Sequence, residues 1–135
     1  MKTENEIKED VYQHIKGTPL ELAVTGIVTT KKRPKDSTSE DITITVLASD
    51  TEQRQEAVVN VNIYVREKLE GGQYVEDDTR EALLSKLAAE CLIVGGIGKD
   101  YRFRLESQHT FEVENDKRHE RCINNKLTYN FYNEE

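Results

Sequence analysis

The chain contains no tryptophan, and only 36% of its 135 residues are hydrophobic, against 33% charged. A core built from so little apolar material is thin, one sheet with one or two helices rather than a multilayer structure. A single α+β domain spanning residues 1–135 is expected, since a chain of this length buries roughly two-thirds of its unfolded surface. No apolar run approaches the ~20 residues that a membrane-spanning helix needs. The opening residues, Met1-Lys2-Thr3-Glu4-Asn5-Glu6, lack the hydrophobic centre of a signal peptide, so synthesis and use in the cytoplasm are expected. Basic residues are in deficit, 19 against 26 acidic, for a formal charge of -7. A general nucleic-acid binder needs a basic face to displace counterions from phosphates, so this balance speaks against one and favours solubility. The two cysteines, Cys91 and Cys122, show no metal-ligand spacing and read as free thiols.

What the chain does have is alternation. From Val59 to Val65, apolar Val59, Val61, Ile63 and Val65 alternate with Asn60, Asn62 and Tyr64, the pattern of a half-buried strand with a core face and a hydrogen-bonding face. Ile42, Ile44 and Val46 alternate with Thr43 and Thr45. Tyr101, Phe103 and Leu105 alternate with Arg102 and Arg104, and Leu127, Tyr129 and Phe131 with Thr128, Asn130 and Tyr132. Each predicts a strand. A further strand is expected at about residues 23–29, pairing with the strand after it as a long β-hairpin.

Two helices are expected. Thr3-x-x-Glu6 has the form of a capping box, and Ile7, Val11 and Ile15 follow at four-residue spacing, predicting a helix over 4–16 that Gly17 ends and Pro19 keeps from resuming. Asp77 or Asp78 caps a second helix over 79–92, with Leu83, Leu84, Leu87, Ala88, Cys91 and Leu92 on its apolar side. Residues 112–125 show no clear period. The resulting expectation is a mostly antiparallel sheet of four to five strands, with two helices packed on one face and a long β-hairpin.

No residue pattern in the chain points to catalysis or ligand chemistry. Gly95, Gly96 and Gly98 follow a helix, whereas a phosphate-cradling loop precedes one. His14, His109 and His119 are far apart, and none sits in an i, i+4 metal pair or beside a nucleophile. Glu112, Glu114, Asp116 and Glu120 lack calcium-loop spacing and read as a solvated acidic segment. No cofactor, metal or catalytic residue is expected, and the chain reads as a non-enzyme. The residues suited to contacting a partner are the cations Lys31, Lys32, Arg33 and Lys35 in a charged loop expected to be mobile, Asn60, Asn62 and Tyr64 on the polar strand face, and Arg102 and Arg104.

The N-terminal helix, the Ile42–Val46 strand, "VNVNIYV" at Val59–Val65, the Thr79–Leu92 helix and the closing "NKLTYNFYN" at Asn125–Asn133 together resemble the bacteriophage tail-terminator and tail-completion (head-tail joining) family. The resemblance implies a structural protein of a phage or prophage. Its subunits form a ring, commonly a hexamer, that caps the tail tube or joins tail to head. The implied partners are copies of the chain, the tail tube and head-connector proteins, with no membrane and no sequence-specific nucleic acid. The implied location is the host cytoplasm during assembly and then the virion tail. The long acidic segment at 112–120 departs from the family pattern. Two rivals remain. One is a non-enzymatic adaptor or regulatory domain that binds a protein through its sheet. The other is a small metal-dependent hydrolase or nuclease using Glu112, Glu114, Asp116 and His119.

Overall fold

The computed structural model describes residues 2–49, 55–114 and 118–131. Helix α1 (Glu4–Ile15) begins at the expected capping box: the Glu6 amide donates to the Thr3 hydroxyl at 3.2 Å and the Thr3 amide donates to the Glu6 carboxylate at 3.1 Å. Both donors would otherwise be orphaned at the helix start. Ile7, Val11 and Ile15 are fully buried.

Pro19 does not end helical structure here. It stands at the first turn of a short helix, α2 (Pro19–Ala23), where its fixed φ and missing N–H suit the position. The strand expected over residues 23–29 is correspondingly reduced to β1 (Val28–Thr29). Its partner is β2 (Ile42–Ser49), and the two run parallel, so the expected long hairpin between them does not form. Residues 30–41 are the crossover that a parallel pair requires, of about a dozen residues.

Strand β3 (Gln55–Arg66) pairs antiparallel with β2 over Ile42↔Ile63 to Ser49↔Ala57. The polar turn expected between them lies in good part outside the described residues. A small ribbon follows, β4 (Lys68–Glu70) and β5 (Gln73–Val75), turning through Gly71 and Gly72, whose φ values of 54° and 81° favour glycine. Helix α3 (Asp78–Leu92) is capped by Asp77, whose side chain accepts from the Arg80 amide at 3.1 Å. Its buried line is Leu84, Ala88 and Leu92, one residue per turn, while Leu83 is 45% exposed.

After β6 (Val94–Gly95), strands β7 (Tyr101–Glu112) and β8 (Glu120–Phe131) form the longest hairpin of the chain. The six-stranded sheet has the order β1-β2-β3-β8-β7-β6 and curls into a half-barrel. The expectation of a mostly antiparallel sheet of four to five strands with two helices is therefore corrected. Among the described residues the sheet is mixed and six-stranded, a separate two-stranded ribbon accompanies it, and three helices are present. The physical reasons are length and direction: β6 spans two residues, too short for alternation to register, and alternation does not tell a parallel pairing from an antiparallel one.

The hydrophobic face belongs to Val59, Val61, Ile63 and Val65 of β3 and to Ile123, Leu127, Tyr129 and Phe131 of β8, packed with the buried lines of α1 and α3. Asn125 points into the same face and is fully buried. Its amide nitrogen donates to the Val61 carbonyl at 3.1 Å, and its amide oxygen accepts from Gln108 Nε2 at 2.7 Å. Gln108 in turn donates to the Ser85 carbonyl at 3.0 Å. This relay ties β3, β8, β7 and α3 together without leaving a buried polar group unpaired.

Candidate interaction surface

The pleat that sends the valines of β3 into the core sends Asn60, Asn62 and Tyr64 to the opposite face. Register across the sheet builds rows on that face: Thr43, Asn62, Asn124 and His109 in one, and Thr45, Asn60, Lys126 and Ser107 in the next. The helices lie on the valine side. Asn60, Asn62, Asn124, Lys126, Thr128 and Asn130 all stay partly exposed. Asn124 Nδ2 donates to Asn62 Oδ1 at 2.7 Å and to Asn60 Oδ1 at 3.0 Å, which fixes the three amides relative to one another. Alternation alone pointed to Asn60 and Asn62. Asn124, which joins them, was hidden in a segment without clear period.

At one end of this face the charged loop folds back over Tyr64. The Arg33 guanidinium stacks on the Tyr64 ring with its carbon 4.1 Å from the ring centroid. It donates from Nε to Asp41 Oδ2 at 2.9 Å, from Nη1 to Glu120 Oε1 at 2.6 Å, and from Nη2 to the Ser39 carbonyl at 3.1 Å. Only 8%, 2% and 1% of the Arg33, Asp41 and Glu120 side chains is exposed. The expected mobile, solvated loop is thus anchored at Arg33, because a buried guanidinium with two carboxylates and a carbonyl has all its strong partners in place.

Burial disfavours the Asp41 carboxylate, but the Ser37 hydroxyl, the Arg33 guanidinium and the Ile27 amide outweigh it and hold its pKa below the ordinary range. Burial foremost, then the Glu120 charge, pushes the Cys122 thiol up to about 12. A second ionic clasp stands nearby. Arg80 reaches back from α3 with Nε and Nη2 each 2.6 Å from a Glu40 carboxylate oxygen, a two-point grip.

Lys31, Lys32 and Lys35 are exposed. Lys31, Lys32 and Arg33, with Lys8 and Arg118, line a cleft of about 570 Å³ whose wall includes Thr43, Thr45 and Tyr64. Arg102 is turned inward on its own loop, donating to the carbonyls of Gly96, Lys99 and Tyr101, whereas Arg104 is exposed. The acidic segment is dispersed: Glu120 is buried on Arg33, His119 stacks on Tyr74 with ring centroids 3.6 Å apart, and Glu112 and Glu114 are exposed. Asp116 lies outside the described residues. Among the described residues no three His, Cys, Asp or Glu side chains are grouped to hold a metal ion, and no helix is long and apolar enough to cross a membrane.

No protein-family model and no curated protein sequence matches this chain. Among solved structures it is similar to a chain of the structure described as "Virion of native gene transfer agent (GTA) particle". The TM-score is 0.57 at 12% sequence identity, covering 94% of this chain and 95% of that one. At that identity the likeness is one of fold.

Proposed function

We propose that this chain is a non-enzymatic structural protein of a phage-like virion, assembling with copies of itself and with other virion proteins. The observation that carries the reading is the end-to-end fold likeness to a virion component, which covers nearly the whole of both chains. The helix-free sheet face supports it. A polar face whose amides are already oriented offers satisfiable groups to a neighbouring surface without unpaired burial. The finer reading, a ring that caps the tail tube or joins tail to head, rests on the resemblance of the strand and helix wording to tail-terminator proteins. The test is electron microscopy of the purified protein, alone and mixed with tail tubes. Rings alone or at tube ends are expected, and a strict monomer at high concentration that decorates nothing sinks the reading.

A monomeric adaptor that binds a protein through the sheet draws on the same exposed face. Recovery of one host protein in place of virion proteins, from a tagged chain expressed in its native host, would favour the adaptor.

A further inference from the structure

β2 and β7, each second from an edge of the six-stranded sheet, are covered by the two-residue outer strands over only part of their length. β1 protects β2 at Ile42 and Thr43, and β6 protects β7 at Phe103 and Arg104, with one more bond from the Leu105 amide to the Ile93 carbonyl at 3.2 Å. Among the described residues nothing pairs with the outer side of β2 over 44–49 or of β7 over 106–112. Open edges of this length are templates for another strand, and soluble proteins seldom leave them uncovered.

We propose that these two edges join to each other between copies of the chain, β7 of one copy adding to β2 of the next. The inference rests on the self-assembly proposed above and names the surfaces that carry it. Three observations support it. First, direction fits: β2, β3, β8 and β7 are successively antiparallel, so a second copy with the same face outward brings its β7 antiparallel to β2, the better-bonded pairing. Second, length fits, since the open stretches are 44–49 and 106–112.

Third, charge fits. In this pairing the β7 strand occupies the column above β1 and ends where the chain leaves β1, so Glu112 and Glu114 meet Lys31 and Lys32. All four are exposed, and none forms an ion pair within the chain among the described residues. Leu47 and Phe111, 69% and 49% exposed on the two open stretches, gain cover in the same contact. The two surfaces differ, so the contact is heterologous and closes into a ring when the rotation permits. The stagger between copies corresponds to the tilt of strands in closed barrels.

The test exploits the asymmetry of the seam. Light scattering would size the wild type, K31E/K32E, E112K/E114K and an equimolar mixture of the two variants, with circular dichroism confirming that each is folded. Each variant alone sets like charges across every seam and is expected to dissociate. In the mixture, alternating copies restore opposite charges at every seam, so assemblies are expected to return. Variants that assemble like the wild type, or a mixture that stays dissociated, overturn the proposed seam while leaving self-assembly intact. A wild type that never assembles overturns both.

Discussion

Arg33 Nη1 and Glu120 Oε1 stand 2.6 Å apart across 87 positions of sequence, the one in a crossover loop and the other at the start of the last strand. Both side chains are almost wholly withdrawn from water, so each charge relies on close partners, Arg33 on Glu120 and Asp41, Glu120 on Arg33 and, at 4.0 Å, Arg118.

Replacing Arg33 with Met leaves the buried Asp41 without an ion-pair partner among the described residues and leaves the buried Glu120 only the Arg118 guanidinium, 4.0 Å away. The expected loss is about 3–5 kcal/mol, because an uncompensated buried charge keeps its full desolvation penalty. Urea denaturation of R33M, E120Q and the double variant measures it. The double variant should lose clearly less than the sum of the singles, since the two share one interaction. Strict additivity would show that the pair does not couple.

Acid should unlock the same cluster. The folded Asp41 carboxyl has a pKa below its ordinary value of 3.8, so the unfolded chain takes up the proton first as pH falls. Its contribution is therefore complete above that value and is lost as pH drops through it toward the lower folded value. Urea midpoints taken between neutral pH and pH 3 should fall steeply in the wild type. D41N, weaker from the outset, should show a shallower fall, and parallel curves would remove Asp41 from the account.

The Cys122 thiol, raised to about 12 by burial first and then by Glu120, carries almost no thiolate near neutrality. Cys91 is also raised, again by burial, with its Sγ 3.7 Å from the Thr18 hydroxyl. Ellman's reagent should react slowly with the folded protein at pH 8 and release two equivalents once urea is added. A fast equivalent from native protein, assigned to Cys122 by mass spectrometry, would contradict the burial.

Asn124 and Asn125 are adjacent on β8 and face opposite ways. Asn125→Leu removes two hydrogen bonds of a fully buried amide, to the Val61 carbonyl and from Gln108, leaving Gln108 its bond to the Ser85 carbonyl, and should cost about 1–3 kcal/mol at about 0.5–1.5 kcal/mol per bond. Asn124→Ala loosens only the partly exposed amide triad and should stay within about 0.5–1.5 kcal/mol, the net value of an ordinary hydrogen bond. Thermal denaturation of both variants settles the order, and equal losses would mean that the two faces are not so different.

Much of the fold was legible where a period ran long enough. α1 announced itself through Thr3, Glu6 and the Ile7-Val11-Ile15 line, and β3 through four repeats of alternation. β6 has no period to detect; the strand expected over residues 23–29 survives only as the two residues of β1, and alternation says nothing about strand direction, so its parallel pairing with β2 was out of reach. The first half of β8 was obscured because Asn124 and Asn125 put polar side chains on both faces in succession. On the candidate surface, periodicity grouped Asn60, Asn62 and Tyr64. It could not show that Arg33, embedded in a run of lysines, is a buried ion with a partner near the other end of the chain. Local composition reports solvation, and only tertiary contact reveals an exception of that kind.

The placement of β8 between β3 and β7 also governs how the chain is made. A ribosome delivers β2 and β3 early, yet β3 gains its second neighbour, and Arg33 its second countercharge after Asp41, only after residues 120–131 have emerged. Until then the nascent chain holds a hairpin with one bare flank, so adding β8 is the step that completes the sheet. Such long-range closure makes folding slow relative to helical proteins of similar size, and a chain stopped short of Glu120 would be prone to aggregate.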